Sequence, residues 1–299
     1  MAMAVRYGVI GCGMMGQEHL RNIALLPGAT VTSIFEPNDE MAAASLAMVP
    51  GARRAESISA VVTASDVDCL FIASPNFRHA EQLREIAALR DIPVLLEKPA
   101  CTNLDDVASL AALARDYKAP IWVAMEYRYM PPVARLIDTI HESGELGHAT
   151  MFSIREHRFP FLVKVDDWNR FNQYSGGTLV EKCCHFFDLM RVMTRSEPVR
   201  VFASASVANN HLDERYALGV PDILDNAYVI VDFASGQRAF LELCMFAEGA
   251  RYQEEISVVG NRGKVECFVP GPGRFWPAHL GDAPIPKLVL SPRDPKGPR

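Results

Sequence analysis

The chain has 299 residues, 49% hydrophobic and 22% charged, which suits one or two globular domains. A formal net charge of -6 leaves no basic footprint for nucleic acid, and no apolar run approaches the ~20 residues that span a bilayer. The seven cysteines are odd in number and lack C-x-x-C spacing, so they read as reduced thiols; with a strand starting almost at once and no room for a secretory signal, a cytoplasmic location is expected.

The first elements form a βαβ unit. Arg6 to Ile10 reads as a strand, Gly11-Cys12-Gly13-Met14-Met15-Gly16 as a glycine turn, His19 to Leu26 as the continuing helix, and Thr30 to Phe35 as the next strand. Gly11 suits the tight turn, Gly13 the approach of a pyrophosphate, and Gly16 close helix–strand packing; Met14 and Met15 open the helix whose N–H groups would meet the phosphates. Glu36 follows Gly16 by twenty residues, where a carboxylate for ribose hydroxyls is expected. Pro37, Asn38, Asp39 and Glu40 include no cation for a 2′-phosphate, so NAD is favoured over NADP.

Helices are predicted over Asp39 to Met48, Ser57 to Val62, His79 to Leu89, and from an Asn103 cap through Tyr117; strands over Val67 to Ile72, Ile92 to Leu96 and Pro120 to Ala124. This alternation implies a doubly wound parallel sheet in a Rossmann domain over residues 1–125, with ligands at the carboxyl ends of its strands. Gly11, Glu36, Ser74, Lys98 and Glu126 all lie at or just past such ends. Ser74, Asn76 and His79 belong to the turn after one strand, where Asn76 reads either as a cofactor contact or as the cap of a helix starting near Phe77.

The pattern then changes. Helices are predicted over Pro131 to Glu142 and Gly177 to Met193, and strands over Ala149 to Arg155, Val199 to Ala208, Asn226 to Phe233, Arg238 to Met245, Gln253 to Val259 and Lys264 to Val269. Successive strands with tight turns imply an α+β substrate domain over residues 126–299, built on a large, mainly antiparallel open sheet. The Pro- and Gly-rich tail from Pro270 is expected to wander over the surface. A large open face seldom stays bare, so a homo-oligomer through the second-domain sheet is expected.

Five motifs in order are similar to those of the Gfo/Idh/MocA oxidoreductases: GCGMMG, SPNFRH (Ser74 to His79), EKP (Glu97 to Pro99), EYRYMP (Glu126 to Pro131) and GGTLVEKCCHFFD (Gly176 to Asp188). The resemblance runs from Val5 to about Gly263. It implies a nicotinamide enzyme acting on a sugar, a cyclitol or a derivative, with Lys98 matching the family's Lys and His185 its His. The family's Asp, four residues before that His, is Glu181 here, one methylene longer. Many members continue past the point where this sequence stops.

The residues suit that chemistry. A secondary alcohol releases hydride only if its hydroxyl proton also leaves, and His185 is the best base because an unperturbed imidazole titrates near neutrality. Glu181 and His185, four apart on a predicted helix, would share one face, so the Glu181 carboxylate would assist catalysis by orienting the imidazole or holding a substrate hydroxyl; an ordinary helical Glu–His contact is the plainer alternative. Lys98 would polarise the same oxygen as negative charge develops on it. Glu97, Lys98 and Glu126 are also placed at the cofactor. Arg128 reads equally as a substrate contact or a structural arginine, and Trp168, in a polar, aromatic loop, as a pocket wall. An NAD-dependent glycosidase using transient oxidation and a non-catalytic nucleotide-binding regulator are the alternatives.

Overall fold

The structure, a computed structural model, describes residues 4–293. In chain order it begins with β1 (Val5–Ile10), α1 (Met14–Ala24), β2 (Ala29–Phe35), α2 (Asp39–Met48), β3 (Arg53–Arg54), α3 (Ile58–Val62), β4 (Cys69–Ile72), α4 (His79–Leu89), β5 (Val94–Leu96), α5 (Leu104–Asp116) and β6 (Ile121–Val123). Then follow α6 (Pro131–His141), β7 (Ala149–His157), α7 (Asn172–Ser175), α8 (Thr178–Glu181), α9 (Cys184–Thr194), β8 (Pro198–Ser206), β9 (Asn226–Phe233), β10 (Arg238–Cys244), β11 (Glu254–Gly260), β12 (Gly263–Val269) and β13 (Lys287–Pro292).

Two compact units result. One takes residues 4–124 together with Lys164–Glu181; the other takes Met125–Val163 and residues 182–293. The sequence reading assigns Lys164–Glu181 to the second domain. These residues instead pack in the first unit, where Trp168 and Tyr174 lie against Phe77 with ring centroids 6.4 and 4.9 Å away.

The first unit holds a six-stranded parallel sheet in the order β3-β2-β1-β4-β5-β6. Its strands alternate their apolar side chains between two cores. Val9 and Phe71 face one way with Leu20, Ile23 and Ile34; Ile10, Leu70 and Ile72 face the other with Leu83, Ile86 and Leu96. Strand order reverses between β1 and β4, the place where such sheets open a ligand crevice beyond their strand ends. Asn38, Ser57 and Asn103 cap α2, α3 and α5 by accepting the backbone N–H of Met41, Ala60 and Asp106.

The second unit holds a seven-stranded sheet in the order β13-β12-β11-β7-β10-β9-β8, antiparallel except for the β7–β10 pair. One face buries Phe152, Ile154, Val229, Val231, Leu241, Ile256 and Val258, with α6 and α9 packed on it. The opposite face leaves Met151, Tyr228 and Ile230 exposed.

Two expectations need correction. The tail does not simply wander: β13 pairs with β12 from Gly263↔Pro292 to Phe268↔Lys287, because the edge of β12 offers unpaired backbone groups and Leu288, Val289 and Leu290 suit a strand. The helix expected over Gly177 to Met193 is broken at Lys182 and Cys183. The Glu181 carbonyl, at the end of α8, accepts the Lys98 ammonium at 3.0 Å.

Gly16 fixes how closely α1 approaches the preceding turn, since a Cβ there would stand 2.3 Å from the Gly11 carbonyl oxygen. Gly16→Val should lower stability by about 1–3 kcal/mol through overpacking. Urea unfolding of the variant beside the parent checks this, and an unchanged midpoint would mean that the helix is free to move away.

Candidate active site

The glycine turn joins β1 to α1. Gly11 sits at φ +87°, and a Cβ on it would come within 2.5 Å of the Ser74 backbone nitrogen, so both conformation and space require glycine. A Cβ on Gly13 would meet nothing within 4 Å, leaving open space at the start of α1. No side chain caps that helix and its first turn carries no acid, so its N–H groups and positive end remain for an anion. Met14 and Met15 are exposed on this turn.

Glu36, at the end of β2, is buried and braces the turn. Its Oε2 accepts the Cys12 N–H at 2.7 Å and its Oε1 the Asn38 N–H at 2.9 Å. Burial and the nearby Glu36 charge push the Cys12 thiol up to about 12, which makes it a packing group. The cation missing from residues 37–40 comes from β3: Arg54 donates to the carbonyls of Glu36 at 2.8 Å and Pro37 at 3.1 Å, and to Asp39 at 2.7 Å. Three oxygens of one turn thus engage its guanidinium. Sequence distance hides this, because Arg54 comes from a two-residue strand with little periodicity.

After β4, Asn76 begins a 3-10 turn, Asn76–Arg78, whose N-cap is Pro75. The capping reading of Asn76 is therefore corrected: its side chain caps neither this turn nor α4. Its Nδ2 is instead a buried donor without a hydrogen-bond partner, an arrangement that normally costs about 1–3 kcal/mol. The open Gly13 cradle and this orphaned amide both fit a bound dinucleotide. Ser74 Oγ donates to Gln82 at 2.5 Å.

His79 and Glu97 tie the strand-end loops together. The fully buried His79 ring sets Nδ1 2.7 Å from the Pro99 carbonyl and Nε2 2.9 Å from the Ser74 carbonyl, and burial pulls its pKa down. Its part at this edge is to brace the Asn76 and Lys98 loops. Burial pushes the Glu97 carboxyl up, but the hydrogen bond from His19 at 2.7 Å and the Lys98 charge outweigh it and hold the group below the usual carboxylate range. Glu97 also accepts the Lys98 N–H at 3.1 Å. The Lys98–Pro99 peptide bond is cis. His19 went unmarked in the sequence; its place on the α1 face turned towards Phe71, 4.1 Å between ring centroids, emerges only with the sheet.

The remaining residues divide between the units. Trp168 and Glu181 are buried in the first. In the second, Glu126 opens a 3-10 turn, Glu126–Tyr129, and its Oε1 lies 3.4 Å from Nε2 of His185 in the first turn of α9. His185 is 3% exposed, with Nδ1 buried, so Nε2 is the edge on the Glu126 side. Arg128 forms a two-pronged ion pair with Asp188, Nε to Oδ2 at 2.6 Å and Nη2 to Oδ1, which supports its structural reading. Glu181 and His185 belong to different helices and different units, so they do not share a helix face as expected. Nothing in the sequence reading singles out Tyr127, whose ring stacks on His185, or Lys182, which donates to the Tyr127 hydroxyl; a lysine inside the apolar run around Cys183 and Cys184 is the available signal.

The family description "Oxidoreductase family, NAD-binding Rossmann fold" matches residues 5–125, and "Oxidoreductase family, C-terminal alpha/beta domain" matches residues 141–280. The chain belongs to the Gfo/Idh/MocA oxidoreductase family. As a member it is an oxidoreductase that uses NAD through its first domain. It is 29% identical over 265 residues to an inositol 2-dehydrogenase of Rhizobium meliloti, covering 88% of this chain and 75% of that one. It is 27% identical over 283 residues to the rhizopine catabolism protein MocA of the same species, covering 91% and 79%. Among solved structures, a putative myo-inositol dehydrogenase of Sinorhizobium meliloti superposes with a TM-score of 0.76 at 26% identity, covering 88% of this chain and 75% of that one. No helix among the described residues is long and apolar enough to cross a membrane.

The depressed Glu97 pKa has a consequence with a definite sign. A carboxylate held below its unfolded value contributes stability at neutral pH, and that contribution is lost as pH falls through the folded value. Glu97→Gln should therefore be less stable than the parent at pH 7, with the gap closing below about pH 4. Thermal unfolding of both proteins across that range checks it; a gap that persists unchanged in acid would contradict the assignment.

Proposed function

We propose that this enzyme oxidises a secondary alcohol of a cyclitol, a sugar or a derivative, with Lys98 and His185 acting on one substrate oxygen. The observation that carries this most directly is the Lys98 ammonium, fixed by the Glu181 carbonyl at the strand edge that also carries the glycine cradle. The match to an inositol 2-dehydrogenase supports the cyclitol class.

Bound at the cradle, NAD supplies the hydride acceptor. Gly11, Gly13, Gly16 and the α1 N-terminus would hold its pyrophosphate, Glu36 its ribose, and the Asn76 amide a polar group nearby. The hydroxyl proton of the substrate passes to Nε2 of His185, and the Lys98 ammonium stabilises the alkoxide character that grows on the oxygen. Reversal uses the same groups, with His185 donating. Glu181 contributes its main-chain oxygen to Lys98, and Trp168 with Phe77 supplies an apolar wall in the first unit.

Lys98→Ala should reduce kcat by about 10²–10⁴-fold while the NAD dissociation constant changes little. NADH formation against a panel of cyclitols and sugars, beside calorimetric NAD titration, checks both. Equal loss of turnover and NAD affinity would overturn the role of Lys98, and product release without net NADH would indicate a glycosidase.

The finer reading of assembly is a homo-oligomer through the second-unit sheet. All nine residues of β8 are exposed, and Phe202, Tyr228 and Ile230 present apolar surface beside one another through the β8–β9 register. Ile230→Glu should shift the mass measured by light scattering towards the monomer; a parent that is monomeric at every concentration rules the interface out.

A further inference from the structure

Beneath His185 lies a buried ionic cluster that the proposed chemistry does not use. Lys182 is 5% exposed, Glu156 fully buried and Glu254 2% exposed. The Lys182 ammonium lies 2.9 Å from Glu156 and donates to the Tyr127 hydroxyl. That hydroxyl donates in turn to Glu254 at 2.9 Å, and Glu254 also accepts from Gln253 at 2.6 Å. Arg158 stands 3.7 Å from Glu156, whose carboxyl burial pushes up to about 8 despite the two nearby cations. Such burial is costly, and a close-packed apolar set of similar volume often serves stability as well.

What the cluster holds is the Tyr127 ring. Its oxygen is engaged from both sides, its edge packs against Phe186 at 5.7 Å, and its face lies parallel to the His185 imidazole, 4.4 Å between centroids with 9° between planes. A flat π face at this distance favours a cation above it over a neutral ring. Burial also raises the Tyr127 hydroxyl well above its usual range, so the phenol stays neutral throughout turnover.

We infer that Tyr127, pinned by Lys182 and Glu254, is the positioning residue for His185: its ring sets the imidazole plane and favours the imidazolium formed when the substrate hydroxyl gives up its proton. The inference rests on the proposed role of His185 as base. Other charged groups act around the imidazole. Glu126 faces Nε2 at 3.4 Å; Arg128, from the same turn, is held by Asp188 of α9; Glu156 of β7 acts through Lys182; and from α6, His141 bonds the Val192 carbonyl further along the helix.

The test compares Tyr127→Leu and Tyr127→Phe in the full-length, NAD-loaded enzyme, with the His185 imidazole titrated by NMR. Leu should lower kcat about tenfold to hundredfold with a smaller change in KM, and shift the His185 midpoint down by about half to one pH unit. Phe keeps the face and should restore most of that midpoint. Tyr127→Met replaces the Leu variant if the latter does not fold. An unmoved midpoint in Leu or Met, or a Phe variant that titrates like them, would reduce the stack to packing and overturn the inference. His185→Ala separates the two levels: retained turnover there removes the base assignment, while the NMR comparison still reports on the stack.

Discussion

Everything proposed here depends on holding one ammonium at the carboxyl edge of a parallel sheet. Lys98 leaves β5 through a cis peptide bond, and its neighbours are fastened on both sides. Glu97 is tied to His19 of α1, Pro99 to His79 of α4, and the ammonium itself to the Glu181 carbonyl. These bonds join elements far apart in sequence at the carboxyl edge of the sheet. A flexible lysine held at its stem and its tip loses much of the freedom that would otherwise oppose a defined geometry.

The two units divide the work. The first carries the glycine cradle, the buried Glu36 carboxylate, the orphaned amide and the ammonium. The second carries the imidazole on its stacked phenol, with a charged cluster behind it. The segment Lys164–Glu181 crosses this division, since it packs with the first unit while α9, starting three residues later, belongs to the second. The break at Lys182 and Cys183 lets adjacent residues serve different bodies: the Glu181 carbonyl turns to Lys98, and the Lys182 side chain to Glu156 and Tyr127.

Much of this was legible in the sequence because local rules carried it. Glycine at Gly11, Gly13 and Gly16, the acid at Glu36, and the cap at Asn103 each follow from backbone chemistry within a few residues. The Rossmann alternation and the antiparallel sheet follow from hydrophobic periodicity. The partners of His79, Arg54 and Lys182 were not legible, because each is set by groups distant in sequence that the fold brings together. The helix break at Lys182 and Cys183 was hidden as well, since neither glycine nor proline marks it. β13 was missed because proline and glycine in the tail outweighed a short β-rich run.

The central claim is that Lys98 and His185 act on the same substrate oxygen. A crystal structure of the full-length enzyme with NAD and myo-inositol tests it most directly. The account predicts one carbinol oxygen within hydrogen-bond distance of both Lys98 Nζ and His185 Nε2, with the attached carbon facing the nicotinamide. A ligand that meets the two groups through different oxygens, or a nicotinamide turned away from both, would contradict it.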